Sequence, residues 1–187
     1  MFYAQALARR DAPIMAVLSV RLYGDPVLRK VAEPVTAVTP EIKKIIEDMT
    51  DSMWHQVGVG LAAPQVGISL RILVMDDGKG GARALLNPVI IDRRGTVREE
   101  EGCLSLPGIF ADVERSRWIR VSALDGEGLP ISFEAQGLQA KILQHEIDHL
   151  DGVLFIDRLP PVTRDRIKKR IQKEGLARDA RPHAFAL

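Results

Sequence analysis

Gln144-His145-Glu146-Ile147-Asp148-His149-Leu150 decides the reading of this chain. It carries the pattern H-E-x-x-H inside a run with helical periodicity. Histidines four apart stand one turn above the other on one helical face, so both imidazoles can reach a single metal ion. The glutamate beside the first histidine is placed to handle a proton on metal-activated water. At about 100° per residue, Leu138, Ile142, His145 and His149 form one stripe, and Leu143, Ile147 and Leu150 a second. Glu146 falls between the stripes, in the middle of the apolar arc. Lys141, Gln144, Asp148 and Asp151 take the opposite arc, which the pattern assigns to solvent. A carboxylate on the buried side of a helix is costly unless a metal, a partner or a proton accounts for it. Two core histidines and a paired glutamate are the plain alternative. A third ligand decides between them.

The helix that holds this motif is predicted over about residues 138–151, with Gly152 as its C-terminal stop. Upstream, the runs at 118–124 and 131–135 flank Asp125-Gly126-Glu127-Gly128 and predict a hairpin. Before them, residues 96–100 lead into Glu101-Gly102-Cys103-Leu104-Ser105-Leu106-Pro107-Gly108. Residues 84–91 are apolar and extended but interrupted by Asn87-Pro88, which predicts an edge or bent strand. Residues 76–81 form a flexible turn after the short buried strand Arg71-Ile72-Leu73-Val74-Met75.

Gly58-Val59-Gly60-Leu61-Ala62-Ala63-Pro64-Gln65-Val66-Gly67 loosely fits a dinucleotide-binding pattern. That reading is rejected. The pattern should follow a strand and open a helix, whereas this one follows a helix and is interrupted by Pro64. Small residues here let backbone approach a ligand closely, and Gln65 then offers an amide donor. Taken alone, a glycine turn with an incidental glutamine is the plainer reading. The preceding helix is predicted over residues 40–56, with Thr39 as N-cap, Pro40 at the first position and Glu41 in the first turn. Its apolar face is Ile42, Ile45, Ile46, Met49 and Met53. Tyr23-Gly24-Asp25-Pro26 reads as a turn. Residues 1–14 read as an N-terminal extension, and Met15 as the natural start of the domain.

The chain has 187 residues and a net charge of +1, enough for one domain with a real core plus tails. No apolar run reaches the length of a membrane span. One cysteine, Cys103, cannot form an internal disulfide, so the cysteine count gives no sign of secretion. From Asp157 onward nine basic residues face four acidic ones, a balance of +5, which leaves −4 for residues 1–156. Residues 161–187 therefore read as a basic helix and tail. They are either solvated or meet nucleic acid or another acidic surface.

Cys103 is the candidate third ligand. One thiolate and two imidazoles leave a fourth tetrahedral position open, as catalytic sites require. The downstream alternatives, Glu174 and His183, fall in the basic tail and are discounted.

At this point the sequence resembles the peptide deformylases. The resemblance rests on Gly58-Val59-Gly60-Leu61-Ala62-Ala63-Pro64-Gln65, on Glu101-Gly102-Cys103-Leu104-Ser105 and on Gln144-His145-Glu146-Ile147-Asp148-His149, in that order. Tyr23-Gly24-Asp25-Pro26-Val27-Leu28-Arg29 is also similar, and the likeness covers residues 20–159. Where some members carry an arginine after the cysteine loop, this chain has Ile109-Phe110. The resemblance implies an α+β fold with antiparallel strands around the central H-E-x-x-H helix, as one catalytic domain over residues 15–160. It implies hydrolysis of the N-formyl group of formyl-methionyl nascent peptides, releasing formate. Cys103, His145 and His149 would hold one divalent metal, ferrous iron first, with zinc, nickel or cobalt able to replace it. Glu146 would be the general base and acid, with Gln65 and the Leu104 N–H as oxyanion donors. Gly58, Val59, Gly60, Glu101, Gly102 and Ile142 would bind substrate. Formylated nascent chains further imply a bacterial cytoplasm or an organelle, and without a convincing targeting segment the cytoplasm is the expectation; no membrane is expected, and the C-terminal helix would be able to meet the ribosome. Two rivals are another zinc hydrolase, for which Cys103 would be dispensable, and a non-catalytic metal- or ribosome-binding module, for which Glu146 would be.

Overall fold

The structure, a computed structural model, describes residues 17–76 and 78–176. The expected extension 1–14, the start at Met15, Asp77, His183 and the end of the tail lie outside these residues.

Helix α1 (Pro40–His55) begins as its sequence dictates. Thr39 accepts a hydrogen bond from the Ile42 N–H, Pro40 occupies the first turn, and Met49 and Met53 are fully buried. A five-stranded antiparallel sheet follows in simple chain order: β1 (Gly60–Ala62), β2 (Ile72–Asp76), β3 (Ala82–Gly102), β4 (Phe110–Leu124) and β5 (Pro130–Gln136). Strand β2 is buried throughout because it is covered on both faces. Leu73 and Met75 join the core with helix α2 (Leu138–Leu150), while Ile72 and Val74 join the core with α1. Successive side chains alternate across a strand, so a two-sided strand reads as an unbroken apolar run.

Two strands are longer than the sequence suggests. Asn87-Pro88 bends β3 but does not end it, and the strand is interior rather than an edge. Residues 82–86 pair with β2, and beyond a register shift between Leu86 and Val89 the strand pairs with β4. Asn87 takes φ 51° at this bulge, and its side chain holds both the N–H and the C=O of Val35 at 2.8 Å. A bulge also tolerates the N–H that Pro88 lacks. Strand β4 starts at Phe110, eight residues before the predicted start at Trp118.

Helix α2 packs against β1, β2, β4 and β5, so the strands wrap it. It is not amphipathic in the expected sense. Lys141, Gln144 and Asp148, assigned to a wet arc, are all buried, as is every residue from 140 to 150. The long β3–β4 arm covers that side and, with Arg158 from the turn Phe155–Arg158, satisfies each polar group. Gln144 bonds the Ser116 N–H and C=O, both at 2.9 Å. Lys141 pairs with Glu99 at 3.1 Å. Asp148 is held by Arg115 and Arg158. A polar side chain survives burial when its hydrogen bonds are made, which single-residue polarity does not foresee. Gly152 ends the helix at φ 71°, and a Cβ there would lie 2.7 Å from the Arg29 carbonyl oxygen.

Helix α3 (Pro161–Glu174) has no fully buried residue, but Ile167 and Ile171 rest on a third core with Leu28, Cys103, Leu106, Phe155 and Ile156. Among the described residues no helix is long and apolar enough to cross a membrane.

Candidate metal centre

Cys103 follows the last residue of β3, at the head of a turn closed by the Leu106 N–H to the Cys103 C=O at 2.9 Å. His145 and His149 project from α2. The three donor atoms lie within 4.8 Å of one another, and all three residues are buried. Cys103 Sγ stands 3.2 Å from His149 Nε2. His145 Nδ1 stands 3.0 Å from Glu101 Oε2, while its Nε2 is buried without a partner. A buried, unpartnered ring nitrogen beside a thiol and a second imidazole fits a divalent ion, and this donor set suits iron, zinc or nickel.

The other predicted residues gather on the same spot. Both oxygens of Glu146 are buried and lack a hydrogen-bond partner. The carboxylate lies against Gly60, where a Cβ would fall 2.5 Å from Glu146 Oε1 and 2.9 Å from Ile142 Cγ2. Only glycine leaves that room. Gln65 is fully buried, and its Oε1 accepts the Ala62 N–H at 2.8 Å. That bond aims the amide nitrogen at Cys103 Sγ, 3.6 Å away. An amide nitrogen carries two hydrogens, so one remains for a ligand. Leu104 is half-buried, with its Cδ1 3.2 Å from where a Gly58 Cβ would stand, which joins the cysteine turn to the glycine segment. Val59 is half-buried against the α2 core. The Phe110 ring covers Gly102.

Glu101 does not have the expected role for its side chain. It is fully buried, receives Arg115 Nε and Nη2 at 2.7 and 2.9 Å, and faces His145 rather than a substrate groove. Burial opposes its ionisation, but Arg115 and His145 prevail and bring its pKa down to about 2. Burial pushes Glu146 up to about 7, and His145 pulls the other way. His149 is held well below the usual histidine range by burial and by His145. Glu174 is exposed and pairs with Arg170 at 3.2 Å, so it takes no part in the cluster. Sequence reasoning missed Arg115. It sits at an inward position of β4, in period-2 register with Val113, Ile119 and Val121, and that alternation is the signal that could have found it.

Residues 17–165 match the family model described as Polypeptide deformylase. The chain belongs to the peptide deformylase family. A peptide deformylase of Alkalilimnicola ehrlichii is 49% identical over 162 residues, spanning 85% of this chain and 91% of that one. The crystal structure of peptide deformylase from Thermus thermophilus matches with TM-score 0.80 and 46% identity, covering 84% of this chain and 95% of its own. That of the Ehrlichia chaffeensis peptide deformylase in complex with actinonin matches with TM-score 0.79 and 40% identity, covering 86% and 99%. The chain therefore has the α+β deformylase fold and is a metal-dependent hydrolase of that family, which removes formyl groups from peptides.

Proposed function

We propose that this chain hydrolyses the N-formyl group of the N-terminal formyl-methionine of newly made polypeptides, with Cys103, His145 and His149 holding one divalent metal ion. The observation that carries this reading is the unpartnered Glu146 carboxylate, buried against Gly60 beside the cluster. When bound, the ion supplies a Lewis acid that makes hydroxide available near neutral pH. The attacking water gives its oxygen to the formyl carbon and one proton to Glu146, and Glu146 passes that proton to the departing amine. The C–N bond breaks, leaving formate and a free N-terminus. The second hydrogen of the Gln65 amide and the Leu104 N–H serve the oxyanion. Strand β1 ends the sheet, so the Gly58–Val59–Gly60 segment offers an edge for the substrate main chain, and the Gly102 backbone is proposed as a further substrate contact. Val59, Ile142 and the His145 ring wall the methionine pocket.

Ferrous iron is the proposed native ion. Residues 15–160 form the catalytic unit of a cytoplasmic enzyme, and residues 161–187 form a basic tail. Arg164, Arg166, Lys168, Lys169, Arg170 and Lys173 on α3 are proposed to dock on ribosomal RNA.

Protein purified without oxygen should hold about one ion per chain and release formate from formyl-Met-Ala-Ser, leaving unformylated Met-Ala-Ser intact. Cleavage of the unformylated peptide, or metal without formate release, would overturn the proposal.

A further inference from the structure

The metal cluster rests on a run of charged groups that the reaction itself does not use. Arg115 is 4% exposed and grips Glu101 with two nitrogens, Nε at 2.7 Å and Nη2 at 2.9 Å. Its third nitrogen, Nη1, donates to Asp148 Oδ2 at 2.6 Å. Asp148 sits on α2 directly before the ligand His149. Its carboxylate also accepts Arg158 Nη2 at 2.5 Å and Nε at 3.1 Å. At the other end Glu101 Oε2 meets His145 Nδ1 at 3.0 Å. Four charges from four parts of the chain thus form one line, and they sum to zero. They come from the end of β3, the middle of β4, helix α2 and the short 3-10 turn Phe155–Arg158.

This line does more than neutralise itself. A histidine binds metal through one ring nitrogen, and the bond made by the other fixes its tautomer and ring angle. Glu101 accepts from Nδ1, so the Nε2 lone pair is left for the ion. The carboxylate could rotate about its last bond if only His145 held it. The two-pronged guanidinium grip prevents that, because a planar fork matches both oxygens at once. Arg115 cannot swing away in turn, since Asp148 holds its remaining nitrogen.

We infer that Arg115 is a positioning residue for the metal ligand His145, acting through Glu101, and that Asp148 and Arg158 lock Arg115 in place. The inference rests on the proposed metal site and says what sets its affinity. The line reaches the surface at Arg158, whose side chain is 48% exposed, two residues before the Pro160-Pro161 entry to α3. The outer end of the network can therefore be altered without opening the core.

The test uses the full chain loaded with zinc and measures zinc release to a chelator. Arg115→Gln removes the fork, and release should become easier by roughly 10- to 100-fold in apparent dissociation constant. Arg115→Lys keeps the charge but not the fork and should fall between wild type and Arg115→Gln. Arg158→Gln should weaken zinc less than about tenfold, because it acts through Asp148, two steps further out than Arg115. At saturating zinc the KM for formyl-Met-Ala-Ser should stay near wild type, since no member of the line touches substrate. Arg115→Gln and Glu101→Gln should be strongly non-additive in zinc affinity, because one acts through the other. If Arg115→Gln does not fold, Arg115→Lys and Arg158→Gln carry the decision. Wild-type zinc release from both, or a raised KM with unchanged release, would overturn the inference. A wild-type chain that holds no zinc, nickel or iron would instead defeat the proposed metal site, and the inference with it.

Discussion

Gly60→Ala isolates the placement of Glu146 from its chemistry. Gly60 needs no left-handed backbone, so alanine is conformationally acceptable there. The problem is space. The new methyl would lie 2.5 Å from Glu146 Oε1, 3.0 Å from its Cδ and 2.9 Å from Ile142 Cγ2, where ordinary contact begins at 3.4 Å. The carboxylate must therefore retreat by about 0.9 Å, or β1 must move off α2 by as much. Overpacking a tight interior of this kind costs about 1–3 kcal/mol, which a domain of this size survives. A displacement near 1 Å at a reacting group costs on the order of 100-fold in rate. The cysteine and both histidines keep their positions, so the ion should stay. The assay is kcat for formate release from formyl-Met-Ala-Ser, read beside metal content and the thermal midpoint. Gly58→Ala is the control, since its methyl would meet only the tip of Leu104, at 3.2 Å. It should lower kcat far less than Gly60→Ala. A Gly60→Ala protein with full metal and wild-type kcat would refute the idea that the Gly60 backbone fixes the working position of Glu146.

Cys103→Ala should lose stoichiometric metal, and so should His145→Ala and His149→Ala, because three protein ligands leave no spare; elemental analysis of each purified variant checks this. Gln65→Ala should keep its metal and lose about 10²- to 10³-fold in kcat, the scale of one oxyanion donor, and unchanged kcat would remove Gln65 from that role. Neutralising Lys168, Lys169 and Lys173 together should weaken ribosome binding and flatten its salt dependence by about one unit for each lysine that meets a phosphate, while sparing hydrolysis of a short formyl peptide. Deletion of the whole helix is a poorer test, since it also strips Ile167 and Ile171 from the core around Cys103. Unchanged ribosome affinity in the triple variant would return α3 to a purely structural role.

What the sequence disclosed was local. Thr39-Pro40-Glu41 announces α1 because a cap is made within four residues, and Gly152 marks the end of α2 for the same reason. His145, Glu146 and His149 were legible because helical spacing alone brings them together. The outward face of α2 was not legible. Lys141, Gln144 and Asp148 look like a solvated arc, and nothing near them in sequence contradicts that. Their partners lie on the β3–β4 arm, Ser116 and Arg115 being 28 and 33 residues from Gln144 and Asp148. The same distance effect hid the first half of β4, where Asp112, Glu114, Arg115 and Arg117 resemble a loop until Arg115 is seen to be buried on Glu101 and Asp148. The family resemblance assigns Glu101 to substrate, whereas its side chain meets Arg115, 14 residues away, and His145, 44 residues away. The arrangement of strands around α2 came from family resemblance. Hydrophobic pattern and turn chemistry were compatible with it but did not select it.

In the proposed mechanism Glu146 moves the proton for hydrolysis at a metal centre it does not help to build. Glu146→Gln tests it most directly, because glutamine keeps the size and can neither take up nor return a proton. The measurement is kcat/KM for formate release, with metal content on the same sample. The variant should keep its full metal and lose roughly a hundredfold or more, the scale of general acid–base catalysis. Near wild-type turnover with the metal in place would contradict that mechanism.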